Sequence, residues 1–171
     1  MPTISDHVLE LLAQSFPLVQ ARRDALLDAM RDSLGTGKPA HRLPGRPHAA
    51  AAALIEMLIG GVRRYLDSRE LAGLGGVLDE HRALGIDGRH YSRFGDSLVP
   101  VLKDVLGPTL PRAVASAWCD AFWMLIRAAR AQRETVAERT PAAPRRTSGR
   151  APRVEMVGAT GFEPATPTPP V

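Results

Sequence analysis

The sequence is poor in cysteine and in aromatic residues: one cysteine, two tryptophans, two tyrosines and four phenylalanines stand in 171 residues. A lone Cys119 excludes an internal disulfide, and the Met1 end lacks a basic start followed by a long apolar stretch, so nothing points to secretion. The expected compartment is the cytoplasm. Long hydrophobic runs are also missing: the longest, Ala49 to Val62, is interrupted by Glu56 and falls short of the ~20 residues a bilayer span needs. No membrane span is expected. Nor is there an alternating apolar/polar pattern of useful length before Arg139, which leaves an all-α class. What is present, 44% hydrophobic residues in a chain of this length, suffices for one domain with a core that needs no staples.

The formal charge of +4 raises the question of a nucleic-acid partner, and its placement answers it. From Arg139 onward five arginines face only Glu155 and Glu163, so +3 of the charge lies in the tail and the body is near neutral. A basic groove on the body, and with it a specific nucleic-acid function, is not supported. Seven of the fifteen prolines also lie beyond Thr140, among Ala, Arg, Ser, Thr and Gly. This composition cannot build a core, and residues 139–171 are expected to be a disordered tail. Within it, Val157 to Thr166 resembles the peptide read when a frame crosses a transfer-RNA gene on the opposite strand, Gly161-Phe162-Glu163-Pro164 being what the complement of a T-arm encodes.

Helical spacing organises residues 1–138. Val8, Leu11 and Leu12, then Val19, Leu26, Leu27, Met30 and Leu34, predict two helices meeting at Pro17. Breakers fill Gly35 to Pro47, after which Pro47 opens a helix to about Leu66 with Leu54, Met57, Leu58 and Tyr65 on one stripe. Ser68 to Leu71 reads as the cap and first turn of a helix carrying Val77, Leu78 and His81 and stopped at Gly85. Another runs from about Arg89 to Leu106, with a kink expected at Pro100, and a last one from about Pro111 to Glu138.

His81-Arg82-Ala83-Leu84-Gly85-Ile86, His90-Tyr91, Phe94-Gly95-Asp96-Ser97-Leu98, Val105-Leu106-Gly107 and Ala117-Trp118 follow one another at fixed distances. Together they resemble the proximal half of bacterial globins, the single-domain haemoglobins and the globin domains of flavohaemoglobins; Phe16-Pro17 is similar to that family's break between its first two helices. The resemblance covers roughly residues 5 to 135. It implies a globin-like fold with a haem b pocket between the helix at 47–66 and the helix carrying His81. His81 would be the iron ligand, Tyr91 its hydrogen-bonding neighbour, and Leu98, Leu54, Met57 and Leu58 the apolar surroundings. Trp118 would be mainly core packing.

The distal half departs from the family. Arg31 falls where many members carry a distal tyrosine, Leu43 alone stands where a ring-stacking phenylalanine belongs, and the distal glutamine or histidine position falls within Ala49 to Ala51. Arg31 is a hydrogen-bond donor if it points inward, and His48 is the nearest imidazole. Glu80 replaces a basic residue that would meet a propionate, and Glu134 does not match the spacing of the family's proximal glutamate. An alanine-lined distal side retains bound oxygen poorly, since a donor over the iron is what holds the charge that oxygen acquires.

The expected function is therefore binding or sensing of a diatomic gas (oxygen, nitric oxide or carbon monoxide) at haem iron held by His81. The alternatives are a haem-free globin-fold regulatory or interaction protein, and a nitric-oxide dioxygenase needing a separate reductase. A homodimer through the last two helices is expected from the resemblance alone.

Overall fold

The computed structural model of the chain describes residues 4–36 and 47–139. Every regular element among them is helical: α1 Asp6–Ala21, α2 Arg23–Gly35, α3 Pro47–Ser68, α4 Val77–Ala83, α5 Gly88–Leu106 and α6 Arg112–Arg139. The all-α expectation holds. All these residues belong to one compact unit, Met1–Pro141. Leu43 and the tail beyond Arg139 lie outside the described residues.

Ser5 starts α1 by accepting the Val8 N–H at 3.4 Å, with Asp6 in the first turn where the helix dipole favours a negative charge. The helix does not break at Pro17, as the sequence suggests, but runs through it to Ala21. Pro17 is exposed, so the carbonyl left without its partner can be hydrated, and the buried face of Leu12, Ser15 and Val19 stays continuous. The break falls instead at Arg22, with φ −107° and ψ 16°, whose N–H donates to the Leu18 and Val19 carbonyls.

A second correction concerns residues 68–76. Ser68 ends α3 and does not cap a new helix; the chain is non-helical until Val77. Arg69 (φ 59°) and Gly73 (φ 81°) occupy left-handed backbone, which interrupts any right-handed helix. α5, by contrast, runs through Pro100 to Leu106, the end expected for it.

Packing joins α2 to α5 and α3, α5 to α6, and α1 to α6. Phe94 and Phe122 meet with ring centroids 4.7 Å apart where α5 crosses α6. Trp118, fully buried on α6, donates its indole N–H to Ser15 Oγ at 3.0 Å and stacks on Phe16. Between α2 and α5, Ser33 and Ser97 share a 3.0 Å hydroxyl contact, and Arg93 donates to the Ser33 and Thr36 carbonyls at the C-terminal end of α2. A cation there also suits the negative end of the helix. Arg23 pairs with Glu56 across α2 and α3.

Two polar side chains hold the backbone of the non-helical segment: Arg64 of α3, which donates to the Ala72 carbonyl at 2.7 Å, and Gln132 of α6. Gln132 on α6 accepts the N–H groups of Leu74 (2.9 Å) and Gly75 (3.2 Å) on Oε1, while its Nε2 donates to the Leu71 carbonyl. Gln132→Leu removes all three bonds and strands two backbone donors. It should lower unfolding stability by about 2–3 kcal/mol in urea titration; a change under about 0.5 kcal/mol would show that water replaces the amide.

Candidate functional site

A buried polar contact between two titratable side chains is made by His81 and Tyr91. His81 is 1% exposed and its Nδ1 lies 2.9 Å from the Tyr91 hydroxyl, with ring centroids 5.7 Å apart. Local chemistry explains how two residues ten apart meet. Gly85, at φ 78°, closes α4 in a Schellman-type end: its N–H donates to Arg82 O at 2.8 Å, and that of Ile86 to His81 O at 2.9 Å. Asp87 then opens α5 with a capping box, its carboxylate accepting from the Arg89 and His90 N–H groups while His90 Nδ1 accepts from the Asp87 N–H. Two tightly specified ends on either side of a short turn fix the angle between α4 and α5. Tyr91, in the first turn of α5, is thereby aimed at His81.

The electrostatics keep both groups neutral. Burial holds the His81 imidazole below its ordinary value, outweighing the nearby Ala53 backbone and Glu80 carboxylate, both of which act upward. Burial likewise pushes the Tyr91 phenol up to about 12, against the pull of Arg130, Arg82 and Arg133. Tyr91 therefore keeps its proton at neutral pH.

The nearness of the Ala53 backbone to His81 is a feature that sequence reading missed. Ala53 belongs to α3, so this neighbour comes from a different helix. No side-chain signal marks a backbone neighbour, so only tertiary structure reveals it. Gln132 was missed for a related reason, since its partners are 57 to 61 residues away.

Of the other expected site residues, Leu54, Leu58 and Leu98 are at most 2% exposed, and Met57 is also buried. All four belong to the same hydrophobic core as Tyr91. Arg31 is not brought to His81: its guanidinium is held at the surface by Asp28 and Asp32, each at 2.9 Å, because two carboxylates at the solvent edge of α2 offer what the apolar interior cannot. His48 is exposed in the first turn of α3, and Glu80 and Glu134 are exposed as well. Trp118 is core packing, as expected.

Among the described residues no three His, Cys, Asp or Glu side chains gather as a metal site, and no helix is long and apolar enough to cross a membrane. A surface depression of about 330 Å³ beside Gly60, Arg63, Arg64, Asp67 and Ser68 includes none of the expected site residues.

A buried imidazole kept neutral makes folding sensitive to acid. Protonation is easier in the unfolded chain, so the His81 contribution to stability is complete above about pH 6.5 and is lost as the pH falls below that toward the depressed folded value. The protein should show a falling urea midpoint between pH 7 and 5, a trend that His81→Leu reduces. A His81→Leu profile parallel to the wild type would assign the acid sensitivity to other groups. No protein-family model and no solved structure matches this chain.

Proposed function

We propose that this domain is a globin-like haem protein that binds or senses a diatomic gas, with His81 as the iron ligand. The observation that carries the reading is the His81–Tyr91 pair: a neutral, buried imidazole with Nδ1 held by a phenol, on a helix facing the apolar side of α3. Neutral imidazole is a good iron ligand when its other nitrogen is oriented by a partner.

The residues thus fit haem chemically, through His81 as ligand, Tyr91 as its orienting partner, and Leu54, Leu58 and Leu98 as apolar surroundings. The iron would supply reversible coordination of the gas. Tyr91 would then fix the rotation of the imidazole and, by accepting from Nδ1–H, raise its basicity. The apolar residues exclude water. On the α3 side the small alanines supply no donor, and Arg31 is turned away, so the site favours nitric oxide or carbon monoxide over stable oxygen storage.

The test is a visible spectrum of protein expressed with excess haem. A Soret band that His81→Ala abolishes is the expected result; a folded, colourless wild type sinks the reading.

One observation favours a second reading, a haem-free regulatory or interaction domain. Ala50 and Leu54 of α3, His81 of α4, and Phe94 and Leu98 of α5 are at most 1% exposed, so the interior around the imidazole is closed. A colourless protein with an intact helical circular-dichroism spectrum supports this alternative.

A further inference from the structure

We infer that the outward face of α3 is the contact surface for a second copy of this chain: two α3 helices cross antiparallel at Gly60, and Arg63 of each pairs with Glu56 of the other. The face is separate from the imidazole site, so the inference stands or falls independently of the haem reading.

Nothing inside the domain accounts for Gly60. It is exposed in the middle of α3, its backbone is not left-handed, and a Cβ there would meet nothing within 4 Å. Glycine in an exposed helix interior costs roughly 0.5–1 kcal/mol relative to alanine. Its neighbour differs: a Cβ at Gly61 would stand 2.6 Å from Leu125, so packing on α6 requires glycine there. What glycine offers at position 60 is close approach from outside. Gly60 lies in the surface depression of about 330 Å³ that it forms with Arg63, Arg64, Asp67 and Ser68, a notch into which a second backbone fits.

The charges around the notch choose the occupant. At helical spacing Ala53, Glu56, Gly60, Arg63, Arg64 and Asp67 share one side of α3, and all but the half-buried Ala53 are exposed. Both signs are present, so a polyanion or a polycation meets repulsion as well as attraction. A second copy carries the same mixture. Turned about a two-fold axis at Gly60 it runs antiparallel, and a residue n places after Gly60 faces the residue n places before it. Arg63 then stands within about 1.5 Å of Glu56 along the helix axis, on the same side, while Asp67 faces the small Ala53. The two-fold makes each contact twice. A parallel pair would instead set Arg63 against Arg63 and Asp67 against Asp67, which repel. Both partners of the pair are ready for it. The Glu56 side chain is 53% exposed even with Arg23 on it, and a carboxylate accepts from more than one donor. Arg63 is steadied over the Phe16 ring, 6.0 Å from its centroid. One helix face is a small interface, so the dimer belongs to the weak, reversible class.

Sedimentation velocity of the full-length chain over a concentration series tests this, with circular dichroism to confirm that each variant is folded. The wild type should pass from monomer to dimer as concentration rises, and added salt should weaken the dimer. Gly60→Leu fills the notch without touching the fold and should weaken association by roughly tenfold or more. Arg63→Glu and Glu56→Arg should each weaken it to a similar degree, because each sets like charges together across the axis. An equimolar mixture of those two variants should restore the dimer, since the mixed pair has opposite charges at both contacts. A wild type that stays monomeric throughout, or a mixture that associates no better than its components, overturns the inference. Gly60→Leu dimerising as well as the wild type also overturns it, and assigns the dimer to another face.

Discussion

Trp118→Ala should lose about 4 kcal/mol of unfolding stability. The indole is fully buried on α6, stacks on Phe16 of α1, and donates to Ser15 Oγ, which in turn donates to the Leu11 carbonyl at 2.7 Å. Truncation of a buried tryptophan costs roughly 3–5 kcal/mol through lost transfer energy and the cavity left behind. For a domain whose total stability is about 5–15 kcal/mol, that is a large share. At roughly 2–4 °C per kcal/mol for a chain of this size, Tm should fall by about 10 °C. Ser15→Ala isolates the polar part: it leaves the indole N–H without an acceptor and should cost about 1–2 kcal/mol. Differential scanning calorimetry on the two single variants and the double variant checks both statements. Strict additivity would show that the indole–hydroxyl bond contributes nothing to the coupling of α1 and α6.

Gly95→Val should be nearly as damaging, while Gly60→Ala should stabilise. A Cβ at Gly95 would stand 2.8 Å from Trp123 Cζ2 and 3.1 Å from Nε1, closer than the rigid indole allows. The valine methyls deepen the clash, so α5 must move off α6 at a cost of about 3 kcal/mol, the upper range for overpacking. That displacement would carry Tyr91, one turn earlier on α5, relative to His81. Gly60 is also inside a helix, but it is exposed and a Cβ there meets nothing within 4 Å. Alanine restricts the unfolded chain more than glycine does, giving a gain of roughly 0.5–1 kcal/mol. Urea midpoints of the two variants provide the measurement. A neutral Gly95→Val would mean that the α5–α6 crossing is loose enough to accommodate two methyls, and would remove the packing account of that interface.

Much of the helical layout was legible in the sequence because amphipathic spacing and local end signals depend on neighbours in the chain. Gly85 and Gly107–Pro108 marked real helix ends, Pro47 a real start, and the stripes on α3, α5 and α6 faced the core as expected. The failures have physical causes. Pro17 was read as a break, but a proline on the solvent side of an otherwise well-buried helix costs only a bond that water replaces. Ser68 resembled an N-cap because its type suits one, yet the backbone at Arg69 and Gly73 turns left-handed and delays the next helix to Val77. Arg31 occupied a plausible distal position by alignment, but Asp28 and Asp32 supply acceptors at the surface, and no interior group competes with them.

His81 and Tyr91 show where the division lies. Their types, their spacing and the turn between them were set by the sequence alone, because Gly85 and Asp87 specify local geometry and so the angle at which two short-range neighbours meet. That the α3 backbone at Ala53 lies beside His81, and that Gln132 pins the segment before α4, was decided only by the tertiary structure. Those neighbours are main-chain groups that every residue possesses. No residue type announces them, and they exist only once distant helices have packed.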